Sequence, residues 1–224
     1  MLFSLKQIPI PEIVRYALGT ALPSPIPQEF LSLAQNAAQE VLSCCQPKYH
    51  LVRYPVQPLL DSFLTGEDIR RHLSGCSDCV LLCATLGSEV DALIRRTQVT
   101  DMAKTLWLDA AASAAIEQVC DEVQLDIAQR LERSLTTRFS CGYGDLPIEV
   151  QPGITGLLQS AKTIGLTCSS SLILIPRKSV TAILGVIRPG QRRSIRGCQN
   201  CKNKQNCAFR KDGITCGHSQ QITE

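Results

Sequence analysis

Aromatic residues make up only 4% of this chain, with a single tryptophan, so its core cannot be built on packed rings. Histidine is rarer still. With three histidines, no Ser/His/Asp or Cys/His constellation stands out, and hydrolytic or nucleophilic catalysis has no support. Long apolar runs are missing as well: none approaches the roughly 18 residues of a membrane span. Residues 1–24 carry one lysine, two short apolar patches and several prolines, without the basic start and continuous apolar stretch of an export signal. The expectation is a cytoplasmic protein whose cysteines are reduced thiols or metal ligands rather than a disulfide framework. Strong net charge is also lacking, at +3.

What is present is aliphatic. In 224 residues, 44% hydrophobic and rich in Ala, Leu, Ile and Val, there is enough to bury a proper core. The small positive excess is unevenly placed, because Arg188, Arg192, Arg193, Arg196, Lys202, Lys204, Arg210 and Lys211 crowd the end of the chain. A boundary falls near "RPGQRRS", giving a body over 1–190 and a basic, Cys-rich tail over 191–224.

Within the body, "PEIVRYAL" from Pro11 and the stretch Gln28 to Cys44 repeat apolar residues at helical spacing. Tyr49 to Val56 reads as a strand, Gly66 to Leu73 as a helix, and Val80 to Gly87 as a buried strand feeding the helix "EVDALIRR". The longest helix is predicted from Asp101, which can cap its start, to about Arg133, with Leu106, Ala110, Ala114 and Val119 along one side. "ITGLLQSAKTIG" reads as one further helix, and "LTCSSSLILIP" with "SVTAILGVI" as two strands joined by a turn at Pro176 to Ser179. The pattern predicts an α+β fold: long helices on a mainly antiparallel twisted sheet, followed by the small tail.

Two stretches carry chemistry. In "RFSCGYGDLP", Arg138 offers a fork of donors suited to a carboxylate, Gly142 and Gly144 permit close approach of a ligand, and Tyr143 presents a flat face with a hydroxyl. In "GCQNCKNKQNCAFRKDGITCGH", Cys198, Cys201, Cys207 and Cys216 stand close together with almost nothing apolar to bury. Four thiolates there would repel one another unless a cation gathered them, so they are candidate metal ligands, with His218 able to replace one. A single C-x-x-C with looser outlying cysteines suits either zinc or an iron–sulfur cluster. Cys76, Cys79 and Cys83 form no comparable set and read as buried or partly buried thiols, while Cys44, Cys45, Cys120 and Cys168 fall among apolar neighbours as core residues do.

The body resembles the S-adenosylmethionine-binding activation domain of cobalamin-dependent methionine synthase. That family's loop has the form Arg-Pro-Ala-Pro-Gly-Tyr-Pro, then a helix, an "IGM" turn, and a strand leading to "P-x-x-S-V-S-G". Here the matching pieces are Arg138, Gly142 and Tyr143, then Ile164-Gly165-Leu166, then Pro176 and "SVTA" from Ser179. The resemblance runs back through the Asp101 helix to "EIVRYALG" and leaves out the tail. In place of the family's prolines stand Phe139, Ser140, Cys141 and Gly144, and an aromatic position holds Leu184.

The resemblance implies a domain that binds S-adenosylmethionine and offers its methyl group to a corrinoid cobalt trapped as cob(II)alamin. Arg138 would grip the ligand's carboxylate, Ser140 and Gly142 would line its amino-acid end, and Tyr143 would lie beside it. Glu132 lies at the family's spacing before the arginine and Glu117 falls within one position of another family acid; either would offset the ammonium or sulfonium charge. No homocysteine, folate or cobalamin domain accompanies these motifs. The implied role is therefore a free-standing activation subunit whose methyl transfer requires a partner, cobalamin-dependent methionine synthase or its cobalamin-binding domain, with an electron donor such as a flavodoxin or ferredoxin. Because that repair needs an electron and zinc has no redox chemistry, the implied function favours a [4Fe–4S] cluster at the tail cysteines. Two alternatives stand beside this reading: a zinc-binding interaction or nucleic-acid module, and a reactivator of another corrinoid methyltransferase.

Overall fold

The computed structural model describes residues 3–19 and 22–188. Helices α1 (Ile10–Leu18) and α2 (Gln28–Cys44) precede strand β1 (Lys48–Pro55), helices α3 (Val56–Ser62) and α4 (Glu67–Leu73), and strand β2 (Cys76–Thr85). Helices α5 (Ser88–Thr100) and α6 (Met102–Leu131) follow, then a single 3-10 turn (Ile148–Val150), α7 (Gln151–Leu157), α8 (Ser160–Ile164), β3 (Thr167–Cys168), β4 (Leu174–Ile175) and β5 (Ser179–Ile187). As the sequence predicts, Asp101 caps α6: its carboxylate accepts the Lys104 N–H at 2.9 Å and satisfies a donor that the first helical turn leaves free.

The α+β architecture is the expected one. β2 lies between β1 and β5, antiparallel to both, with Val80 opposite Arg53 on one side and Leu184 on the other. Alternation along β2 then divides the interior into two cores. Val80, Leu82 and Ala84 face α1, α2 and α6, joined by Ala182, Leu184 and Val186 of β5. Cys79, Leu81 and Cys83 face the other way, onto a second core containing Leu59 of α3, Ile69 and Leu73 of α4, Ile154 of α7 and Ile164 of α8. A strand covered on both faces reads as a continuous apolar run, which is what "VLLCAT" is. The alanines of α6 let the neighbouring helices approach closely: Ala111, Ala112 and Ala115 are fully buried against that layer.

The structure corrects several local expectations. The segment over 166–176 is not a strand beside β5; β3 and β4 form their own two-stranded hairpin, and β5 pairs with β2 instead. The helix expected over 154–165 is two, α7 and α8, broken where Gln159 adopts a left-handed backbone. Leu106 does not share the buried side of α6; it is 52% exposed, and Trp107 and Leu108 turn inward in its place. Of the cysteines read as core, Cys120 is buried whereas Cys44, Cys45 and Cys168 are half-buried. Cys79 and Cys83 are buried and Cys76 half-buried, and none of the three is in a disulfide. No helix among the described residues is long and apolar enough to cross a membrane. The four tail cysteines, and the boundary near 190, lie outside the described residues.

After α6 the chain turns back along the outer edge of β5. Thr136 donates its N–H to Gly185 O at 2.9 Å, Phe139 and Ile183 exchange two backbone bonds, and the Ile187 N–H reaches Ser134 O. This segment carries Arg138 and leads into the loop at 140–147.

Candidate functional site

Backbone pairing fixes the position of Arg138. With Phe139 buried toward the second core, the side chain before it projects to the opposite face, over α6. There the guanidinium is only 18% exposed and meets a row of acceptors one and two turns apart: Glu117, Asp121 and Gln124. Nη1 donates to Asp121 Oδ1 at 2.6 Å and to Gln124 Oε1 at 3.3 Å, and Nη2 donates to Glu117 Oε2 at 2.7 Å. Burial works against the charge on Arg138, but the Cys120 sulfur and the carboxylates of Asp121 and Glu117 outweigh it and hold the guanidinium more firmly protonated than usual.

Two carboxylates around one guanidinium leave one negative charge in excess. Both acids remain partly open to solvent, Glu117 at 37% and Asp121 at 27%. Tyr16 of α1 borders the same place: burial raises its phenol above the ordinary range, and the charge on Glu117 raises it further. Arg15 stacks over the Tyr16 ring at 4.5 Å, tied to Glu12 one turn earlier. The arrangement suits a ligand that brings both a cation and an anion, because donors and acceptors sit side by side.

The loop beyond Arg138 is held from within and from α4. Ser140 Oγ donates to Thr181 O at 2.8 Å, so its hydroxyl is committed to β5. The Gly142 N–H reaches Leu146 O at 2.9 Å, and the Tyr143 N–H reaches Ser140 O. Tyr143 is 60% exposed, with its ring edge-on to Phe139 at 6.3 Å. Gly144 has a left-handed backbone (φ +59°), and a Cβ there would lie 2.9 Å from the Asp68 Cβ, so only glycine fits against α4. Asp145 completes the junction by accepting the N–H groups of Glu67 at 2.7 Å and Asp68 at 3.0 Å, capping α4 from outside its own helix.

Of the residues singled out from the sequence, Arg138 and Glu117 are brought into direct contact, and Ser140, Gly142 and Tyr143 follow on the same loop. Glu132 is not drawn in. It forms the left-handed end of α6, and its carboxylate makes no hydrogen bond or ion pair among the described residues. Asp121 and Gln124 were missed; their signal was helical spacing, i+4 and i+7 from Glu117, which puts all three on one face. Among the described residues no group of three or more His, Cys, Asp or Glu could hold a metal ion.

The fold is an antiparallel sheet between helical layers, with the Arg138 segment along the edge of β5. It is similar to the solved structure of the MetH reactivation domain bound to AdoHcy, at a TM-score of 0.57 and 14% sequence identity, covering 84% of this chain and 79% of that one. At that identity the likeness is one of fold. No protein-family model and no curated protein matches the chain.

Proposed function

We propose that this chain binds S-adenosylmethionine at Arg138, Glu117, Asp121 and the 140–143 loop, and serves as an activation subunit for the reductive remethylation of cob(II)alamin on a cobalamin-dependent methionine synthase. The observation that carries this reading is the ion-pair array itself. An amino-acid headgroup has a carboxylate and an ammonium on one carbon, and Arg138 between Glu117 and Asp121 is its electrostatic complement. The ligand carboxylate would share or displace one acid at the guanidinium, and the released acid would then face the ammonium. The remaining positive charge, on sulfur, is matched by the excess negative charge of the array. The Tyr143 side chain, exposed and in ring contact with Phe139, stands where it can lie along the ligand.

The fold likeness to a domain solved with AdoHcy agrees with this ligand class. At the tail, Cys198, Cys201, Cys207 and Cys216 would hold a [4Fe–4S] cluster, and such a cluster when bound would supply the one electron the cobalt repair requires. Calorimetric titration of S-adenosylmethionine into the full chain tests the reading. Saturable binding that is lost in Arg138→Ala and weakened in Glu117→Gln supports it; absence of binding to the unaltered protein, or equal binding by Arg138→Ala, overturns it. Iron analysis of anaerobically purified protein, compared with a Cys198→Ser/Cys201→Ser variant, tests the cluster separately. Stoichiometric zinc in its place would favour the zinc-binding interaction or nucleic-acid module instead.

A further inference from the structure

A cavity of about 250 Å³ opens where the end of α6 meets the beginning of β2 and the end of β5. None of Arg138, Ser140, Gly142 or Tyr143 lines it. Its wall is polar and strongly cationic, with Arg53, Arg133 and Arg188 against a single carboxylate, Asp78, while Leu131 and Val186 supply an apolar side. The bulge in β2 is responsible for part of this lining. Cys76 stands opposite Ile187 and Asp78 opposite Val186, so Ser77 has no partner in β5. In a regular strand Ser77 and Asp78 would point to opposite faces; here both line the cavity.

The charges do not cancel. Asp78 accepts through one oxygen, Oδ2, from Arg53 Nη2 at 2.8 Å and from Ser77 Oγ at 3.0 Å, and its single charge is paired with Arg53. Arg133 donates to the Glu132 carbonyl oxygen at 2.9 Å, a neutral acceptor, and neither Arg133 nor Arg188 forms an ion pair among the described residues. Glu132 itself does not line the space. Two guanidinium charges therefore face the cavity uncompensated. Asp78 has its carboxyl held below the ordinary carboxylate range first by the Arg53 hydrogen bond, and also by the charge on Arg188.

We propose that this cavity is an oxyanion site that takes the phosphate group of a small phosphate-bearing molecule, seated between Arg133 and Arg188 with Ser77 beside it. A phosphomonoester carries close to two negative charges at neutral pH, matching the excess, and guanidinium forks meet tetrahedral oxyanions in bidentate fashion. A cavity below the roughly 300–1,000 Å³ of whole-ligand pockets fits a headgroup, with the attached organic part lying against Leu131 and Val186. Because the arginines are exposed, the interaction weakens as salt is raised.

Inorganic pyrophosphate, and inorganic phosphate in a parallel series, titrated calorimetrically into the full chain at low and raised salt, provide the test. One saturable, salt-sensitive site is expected. Replacing Arg133→Ala and Arg188→Ala together weakens it by roughly tenfold or more, the scale of losing charge-assisted hydrogen bonds. Both side chains are at the surface, so the variant retains the parent's thermal transition and its response to S-adenosylmethionine. A Lys202→Ala/Lys204→Ala variant in the basic tail keeps pyrophosphate binding intact. No saturable binding, binding that survives loss of both cavity arginines, or binding removed by the tail variant alone overturns the proposal.

Discussion

Arg138 and Glu117 stand 21 residues apart in the chain, yet Nη2 of the arginine lies 2.7 Å from Oε2 of the acid. Removing Arg138 therefore leaves Glu117 and Asp121 as neighbouring like charges in a half-buried setting. Arg138→Ala should lower stability by about 1–3 kcal/mol in urea unfolding, discounted from a fully buried pair because both acids reach solvent. Adding Glu117→Gln and Asp121→Asn to that variant should restore a substantial part of the loss. An additive triple variant would mean that the three side chains are not coupled.

Asp145 ties the loop to α4 by accepting two backbone N–H groups at that helix's start. Asp145→Ala should cost about 0.5–2 kcal/mol and Asp145→Asn distinctly less, since the amide oxygen can still accept. Chemical unfolding of the two variants side by side measures the difference.

Gly144→Ala and Gly165→Ala separate backbone strain from collision. Both positions have left-handed backbones, but a Cβ at Gly165 meets nothing within 4 Å, whereas at Gly144 it meets Asp68. Gly165→Ala should cost roughly 1 kcal/mol, the backbone penalty alone, and Gly144→Ala at least twice that. Equal melting temperatures for the two variants would contradict the packing of the loop against α4.

Stability should fall in alkali. Burial pushes the thiols of Cys79, Cys83 and Cys120 up to about 12 and that of Cys141 to about 11, against an ordinary value of 9.0. In the unfolded chain these groups lose their protons near pH 9, while the folded protein keeps them, so folding binds more protons between pH 9 and those raised values. Stability is retained in full below that window and declines through it, by up to about 1.4 kcal/mol per thiol per pH unit. Urea midpoints under reducing conditions at about pH 8 and about pH 10 follow this directly, and Cys120→Ala should show a shallower decline.

Much of the fold was legible because its elements obey one period at a time. α2 and α6 repeat at helical spacing over many turns, and β2 and β5 are short apolar runs bounded by turns. α3 was hidden because β1 passes directly into it at Pro55, and Pro58 within "VQPLLDS" reads as a breaker, although the first turn of a helix tolerates proline. The β3–β4 hairpin was misplaced because "SLILI" has the composition of a long buried strand, and composition says nothing about partners; Ile173 and Ile175 are half exposed. At the site, the Arg138 loop announced itself by glycine, arginine and tyrosine. Which acids would meet the guanidinium depended on the strand pairing of Phe139 with Ile183, a long-range contact that no local pattern encodes.

The stretch over 134–139 has a second duty: it occupies the rim of β5 that would otherwise offer bare amide and carbonyl groups to any passing chain. Moving the Arg138 backbone outward would unzip that rim. The root of that side chain is thus pinned, and any adjustment around it falls to freely rotating bonds: the arginine's own, those of the acids of α6, and those of the tyrosine at the tip.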